Sequence, residues 1–378
     1  MPWKECDQMD ERTRFVILAL EGVPNFAALC RRFGISRKTG YKWMKRYEET
    51  GQLALLRDRS RKPTRSPSKT ALEVEGRVVA LRQEYGWGAR KLQVLLRREG
   101  IRLAESTVNR IIKRNGLVRN PGAHRPATKR FEHENPNDLW QVDFKGQFKV
   151  QGGYCYPLSI LDDHSRYLVG LYGLSSTKAV PVLCCLQNVL EEFGVPKMIL
   201  TDHGAPFWST SNPLGMTCVS VFLKGQGIRL THSGVRHPQT QGKVERMHRS
   251  MEESMRHHGK PKTLASAGEW LQTFRYQYNH LRPHEALGMD VPAQHYQPSK
   301  RAFQPDPPAW EYPADMQVAR LNTQGCLDYG GQRLFVCEAL AGHWVGTLQV
   351  DGRLVVQFHD QLIREIMLDT RRGMAFAP

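Results

Sequence analysis

Apolar residues recur at helical spacing in three short blocks near the N-terminus. Arg12 to Leu20 predicts a first helix, and PNFAALCRRFG a second, with Asn25 as N-cap and Gly34 as stop. A third starts at Ser36 and runs through SRKTGYKWMKRYEETG to Gly51, so only a Gly-Ile turn separates the last two. This is a helix-turn-helix signature. The pattern then returns as a helix over residues 71 to 85, followed by GARKLQVLLRREG and AESTVNRIIKRNG, which predicts a second helix-turn-helix. The stretch between them, RDRSRKPTRSPSK, carries six Lys or Arg and two Pro and reads as an extended linker. A second basic, Pro-containing stretch, RNPGAHRPATKR, follows the second unit.

Beyond it the apolar period changes from helical to strand-like. LWQVDFKGQFKV and YCYPLSILDD predict two strands joined near Gly152 and Gly153, and SRYLVGLYGL a third. A helix over 178 to 193, the strand MILTD, an irregular Gly- and Pro-rich stretch, the strand IRLTHS and a long helix from about Gln241 complete a β-β-β-α-β-α-β-α order. A further helix is expected near 266 to 281. This is a mixed α/β sheet covered by helices. Past Pro305 the pattern breaks at PDPPAW, and closely spaced runs such as RLFVCEAL, HWVGTLQV and RLVVQFH predict a small C-terminal β-barrel. The expected domains are a first helix-turn-helix over 1–56, a linker over 57–70, a second helix-turn-helix over 71–118, a linker over 119–134, an α/β core over 135–300 and the β-barrel over 310–378.

Charge narrows the partner. The chain has 54 Lys plus Arg against 37 Asp plus Glu, a formal net charge of +17, which suits a polyanion. No apolar run of spanning length and no interfacial anchor appear, so double-stranded DNA is a better partner than a membrane. The N-terminus MPWKECDQMDERTRF lacks the apolar core of a signal peptide, and a cytoplasmic location is expected. No two of the eight cysteines stand in C-x-x-C spacing, so no structural zinc is expected, and Cys184 and Cys185 read as small packing residues.

Three acids sit where this topology can gather them. Asp143 lies mid-strand in QVDF, where an ionised side chain is costly unless paired or bound to a cation. Asp202 follows MIL at the carboxyl end of its strand, the side on which open α/β sheets place ligands. Glu245, in GKVERMHR, is on the first turns of the long helix. Three such carboxylates can hold two Mg2+ ions, with Mn2+ as a substitute, for an in-line phosphoryl transfer that needs no protein nucleophile. Asp162 and Asp163, at another strand end, compete as ligands, but LDDHSRYL suits an Asx turn and a structural role.

QVDFKG, LTDHGAPF and HPQTQGKVER resemble, in order and in local sequence, the three catalytic motifs of the retroviral-integrase-like DDE transposases, and YNHLRPHEALG resembles a downstream segment of the insertion-sequence members. The resemblance spans nearly the whole chain. It implies a core with the ribonuclease H fold, metal ligation by Asp143, Asp202 and Glu245, and action at the ends of the protein's own mobile element. Two departures stand out. His203 occupies a position where many relatives carry Asn, and the insertion FWSTSNPLGMTCVSVFLKG leaves 245 − 202 − 1 = 42 residues between the last two acids.

DNA-facing positions follow from the helix order. Arg37, Lys38, Thr39 and Lys42 begin one recognition helix, and Ser106, Thr107, Asn109 and Arg110 the other. Lys243 and Arg246 can bring phosphates toward the acids; for Arg249 a solvated helix face is an equal reading, as a hydrogen-bonded turn is for His237. The expected activity is binding of terminal inverted repeats, strand cleavage and 3′-hydroxyl strand transfer into target DNA by a homodimer or higher oligomer. The rival readings are a DNA-binding regulator without catalysis and a ribonuclease H-type nuclease.

Overall fold

The computed structural model describes residues 8–22, 24–58, 69–118, 132–210, 212, 215–232 and 242–368. Most of the two stretches expected as linkers, and His237, lie outside the described residues. The chain divides into two compact units, Met1–Thr70 and Ala71–Pro378.

The first unit contains α1 (Gln8–Leu20), α2 (Phe26–Arg32) and α3 (Arg37–Thr50). The local signals act as the sequence predicts: Asn25 Oδ1 accepts from the Ala28 amide at 3.1 Å, Ser36 Oγ from the Thr39 amide at 3.2 Å, and Gly51 ends α3 in the left-handed region. Phe15, Val16, Leu29, Cys30, Trp43 and Leu56 form the core. Gly40 lets α3 cross closely, because a Cβ there would stand 2.7 Å from Cys30 Sγ and 2.9 Å from the Phe15 ring.

The second unit opens with α4 (Leu72–Tyr85), α5 (Ala89–Arg98) and α6 (Glu105–Arg114), closed around Val78, Leu81, Leu92, Leu96, Val108 and Ile111. Buried Arg82 fastens the end of α4, donating to the Gly86, Trp87 and Leu117 carbonyls.

Next come β1 (Leu139–Phe144), β2 (Phe148–Val150), β3 (Gly153–Asp162), β4 (Leu168–Leu174), α7 (Ala179–Phe193), β5 (Met198–Thr201), α8 (Cys218–Gly225), β6 (Arg229–His232), α9 (Gly242–His258) and α10 (Leu264–Tyr276). In the resulting mixed sheet β1, β5 and β6 are parallel neighbours, while β3 runs antiparallel to β1, β2 and β4. LWQVDFKGQFKV, expected as one strand, is two. Phe144 pairs with Leu158 and Phe148 with Cys155, so the register against β3 slips by one residue across Lys145–Gln147. The stretch expected to be irregular between β5 and β6 contains α8, the crossover helix that joins two parallel strands.

Alternation along β1 divides the core between the two sheet faces. Trp140 and Val142 point toward α7 and α8, among Val182, Leu186, Val189, Val219 and Leu223. The other face carries Leu161, Leu168 and Leu171 against Val244, Met247, Met251 and Met255 of α9 and Leu271 and Phe274 of α10. Gln141 and Asp143 belong to this second face. In the YNHLRPHEALG segment, Asn279 exchanges two hydrogen bonds with the Leu168 backbone, at 2.8 and 3.0 Å, and so secures the start of β4.

The C-terminal strands are antiparallel. β7 (Gln317–Arg320), β10 (Trp344–Val350), β11 (Arg353–Phe358) and β12 (Gln361–Met367) make one sheet in the order β12-β11-β10-β7, and β8 (Cys326–Tyr329) and β9 (Gln332–Phe335) make a hairpin. Their shared core also takes in Met216 and Val221 from the insertion, so α8 packs on the mixed sheet with one side and on the C-terminal strands with the other.

Candidate active site and nucleic-acid interface

Two of the three motif acids are brought together by strand register. β1 and β5 pair in parallel with Gln141 opposite Leu200, and the same offset continued by two residues sets Asp143 beside Asp202. Asp202 follows β5 immediately, with its Oδ1 accepting from the Gly204 amide at 3.0 Å. Glu245 lies exposed on the first turn of α9, the helix that packs against the Asp143 face of the sheet. Asp143 is pushed up to about 7, first by burial, then by the charge of Asp202, with a smaller contribution from Glu245. Among the described residues, no three acidic, imidazole or thiol groups are drawn tightly enough together to close around one ion. The donor chemistry does suit a hard divalent cation: Asp143 and Asp202 stand side by side at the end of two parallel strands, and Asp143 is held back from ionising by burial first and by the charge of Asp202 second.

The sequence reading missed two residues at this site. His248, one turn beyond Glu245 on α9, places Nδ1 3.7 Å from Asp143 Oδ2 and Nε2 2.7 Å from Ser159 Oγ. Ser159 Oγ in turn donates to the Asp143 carbonyl at 2.8 Å. Burial, and secondarily the Lys145 ammonium, lowers His248 to about 4, so its ring is neutral. The signal was the spacing of Glu245 and His248, three residues apart and thus on one helix face.

Asp162 and Asp163 are fully buried and structural. Asp162 Oδ1 accepts from the Ser165 amide at 2.8 Å and from its hydroxyl at 2.6 Å, the expected Asx turn. Asp163 Oδ2 forms an ion pair with Lys243 at 2.6 Å, and its Oδ1 accepts from Gln141 Nε2 at 2.8 Å. Lys243, expected to meet phosphates, is turned inward instead and ties the start of α9 to the β3–β4 corner. Arg246 and Arg249 on the same helix are exposed.

His203, beside Asp202, meets Trp208 and His232 with ring centroids 4.8 and 5.3 Å apart. His232 Nδ1 lies 2.9 Å from Thr201 Oγ1. This cluster seats the start of the insertion against the end of β5.

On α3, Arg37, Lys38 and Lys42 are exposed, while Thr39 Oγ1 is engaged with the capping Ser36 at 3.0 Å. On α6, Ser106, Asn109 and Arg110 are exposed and half-buried Thr107 accepts from Arg110 at 3.1 Å. The α4–α6 bundle rests on the core. His257, near the end of α9, lies 2.6 Å from the Gln83 carbonyl, Arg98 donates to the Leu281 carbonyl at 3.2 Å, and the Arg282 guanidinium stands over the Trp87 ring at 5.7 Å. Residues 257 and 245 are 257 − 245 = 12 positions apart, so this contact and Glu245 are separated by roughly 18 Å along one helix. No helix among the described residues is long and apolar enough to cross a membrane.

The mixed sheet, with Asp143 beside Asp202 at its strand ends, is that of an integrase-type core, and helix-turn-helix domains precede it. Two integrase core domain families match residues 133–238 and 226–292, a helix-turn-helix domain family matches 11–64, and a homeodomain-like domain family matches 39–112. The chain is 26% identical over 155 residues to a Gag-Pol polyprotein of avian reticuloendotheliosis virus, covering 40% of this chain and only 12% of that protein. It is 25% identical over 214 residues to the uncharacterized 31.7 kDa protein of insertion element IS407 from Burkholderia multivorans, covering 55% of this chain and 74% of that one. The HTLV-2 integrase catalytic core domain in complex with magnesium aligns over 43% of this chain and 99% of its own, with 18% identity and a TM-score of 0.34, too low to add to the argument. The chain thus carries an integrase core domain over residues 133–292 behind helix-turn-helix domains, and it spans only about an eighth of the viral polyproteins it matches.

Proposed function

We propose that this chain is the transposase of an insertion sequence, resident in the bacterial cytoplasm, which binds the terminal inverted repeats and cuts and joins DNA at Asp143, Asp202 and Glu245. The observation that carries this reading is the parallel β1–β5 register, which sets Asp143 beside Asp202 at the strand ends. Those acids would hold Mg2+, or Mn2+ in its place. When bound, the ions lower the barrier to in-line displacement at phosphorus by activating the attacking oxygen and steadying the leaving one.

The chain's own residues do the rest. Helices α3 and α6 present Arg37, Lys38, Lys42, Ser106, Asn109 and Arg110 to the repeat, where Arg and Lys meet phosphates or guanine edges. Exposed Arg246 brings the phosphodiester toward the strand ends. Asp143 is fixed by β1 and Asp202 by β5, so the two donors are positioned before DNA arrives. Water attacks first and frees a 3′-hydroxyl; that hydroxyl then attacks a target phosphodiester in the same site. Both element ends must be held at once, so the protein acts as a homodimer or larger assembly.

The test combines purified protein, Mg2+, labelled repeat DNA and a target plasmid. Joined products are expected, and Asp143→Asn, Asp202→Asn and Glu245→Gln should each reduce joining by at least about a thousandfold while leaving repeat binding intact. Cleavage without joining would make the protein a nuclease, and binding alone a regulator.

A further inference from the structure

One face of α9 looks onto the α4–α6 bundle. Arg246, Ser250, Glu253 and His257 recur at helical spacing and form one stripe. His257 ends the stripe against the bundle, 2.6 Å from the Gln83 carbonyl and so near Gly86 that a Cβ there would stand 3.0 Å from the ring. Ser250 Oγ accepts from Arg282 Nη2 at 3.0 Å, and the same guanidinium stands over the Trp87 ring, in the turn that leads into α5. Half-buried Lys91, on α5, shares this seam with Arg282: burial first, and the Arg282 charge second, lowers it to about 8. Of the two acids whose charge reaches Lys91, Glu285 lies 3.9 Å from Arg90 and Glu253 is exposed. Among the described residues, no hydrogen bond or ion pair engages Lys91 Nζ, and no carboxylate pairs with Arg282. Two cations side by side in a seam repel, and an anion between them turns that repulsion into attraction.

The stripe gives the anion an identity. Arg246 follows Glu245 directly, and Ser250 is 250 − 245 = 5 residues from it, so seam and acid lie roughly 7.5 Å apart along α9. One strand of DNA presents a phosphate about every 3.4 Å along its axis, and covers that distance in about two nucleotides. We propose that Lys91 and Arg282 hold a backbone phosphate of the DNA strand engaged at Asp143 and Asp202, about two nucleotides from the reacting phosphodiester. The contact ties the second helix-turn-helix bundle to the core when DNA is bound. Its position along the strand rests on the reading of those acids given above; its existence does not depend on catalysis.

The experiment reads the affinity of the full-length protein for a labelled duplex by fluorescence anisotropy, from about 50 to about 200 mM salt. Lys91→Met removes one phosphate contact, so the slope of log affinity against log salt should shrink by about 0.9, and the affinity lost over that range should be about 3.5-fold smaller than in the wild type. The thermal midpoint of the free protein should rise, because the same change removes a repelling charge from the seam. Lys91→Arg should keep the wild-type slope. An unchanged slope in Lys91→Met overturns the proposal, and a midpoint that falls in both Lys91→Met and Lys91→Gln makes Lys91 a structural tie and overturns it too. Inorganic phosphate that raises the wild-type midpoint while the two slopes coincide marks a free-anion site instead of a DNA contact. A single uncharged methylphosphonate two nucleotides from the cut in repeat DNA should weaken wild-type binding and leave Lys91→Met unaffected; sensitivity at a distant position overturns the placement. Joining that persists in Asp143→Asn would overturn the reading of the acids, and with it the placement, while a reduced slope in Lys91→Met would still uphold the phosphate contact.

Discussion

Lys243 and Glu245 stand two residues apart on α9 and face opposite ways, one into the protein and one out. The charge run GKVER does not distinguish them; the fold does, by placing a fully buried carboxylate, Asp163, within reach of the first. Removing a partner from such a pair strands a charge in the interior. Lys243→Met should therefore lower stability by about 3 kcal/mol in urea unfolding. A loss of DNA affinity at unchanged stability would return Lys243 to the phosphate-binding role the sequence suggests. His284 supplies a pH dependence: burial, and then Arg282, depresses it to about 3 against an ordinary 6.5. The unfolded chain takes up this proton below pH 6.5 and the folded chain does not until about 3, so the stability it contributes is complete above 6.5 and is lost as pH falls toward 3. Urea midpoints measured from pH 7.5 down to 4 should fall, and His284→Gln should flatten that decline. Asp143 and Asp202 were legible because an acid in or just after an apolar strand has few bland explanations. His248 was not, because a histidine on an amphipathic helix has many.

Helix limits were the most legible feature, since caps are local: Asn25, Ser36 and Gly51 each do what their side chain or backbone freedom allows. The closeness of a crossing is not local. Gly40 sits inside α3, where glycine is unfavourable for the helix itself, and only the packing of Cys30 and Phe15 explains it. Gly40→Ala should overfill that contact and cost about 1–3 kcal/mol, seen as a lower thermal midpoint of the N-terminal unit. Strand continuity also escaped the sequence. The alternation in LWQVDFKGQFKV runs unbroken through Lys145–Gln147, yet the pairing slips there, because register is set by the partner strand rather than by the strand's own pattern. The helix α8 was obscured for a related reason. It is short and apolar on more than one side, and CVSVFLKG shows no clean amphipathic period.

At the scale of the molecule, that all-round apolarity has its explanation in the two cores it serves. Val219 and Leu223 belong to the mixed sheet, and Met216 and Val221 to the C-terminal strands. The long gap between Asp202 and Glu245 is therefore a structural joint between these two cores. A chain ended after Pro305 should consequently fail as a clean deletion: it is expected to aggregate or to bind a hydrophobic dye, and Met216→Ser with Val221→Ser should restore its solubility. A well-behaved, dye-negative truncation would show the C-terminal strands to be dispensable for the core. The joint also bears on how the protein is made. The first C-terminal core residue, Leu321, is synthesised 321 − 221 = 100 residues after Val221. At ordinary elongation rates, roughly 5–20 s pass in which a finished helix has one side covered and the other waiting for partners still on the ribosome.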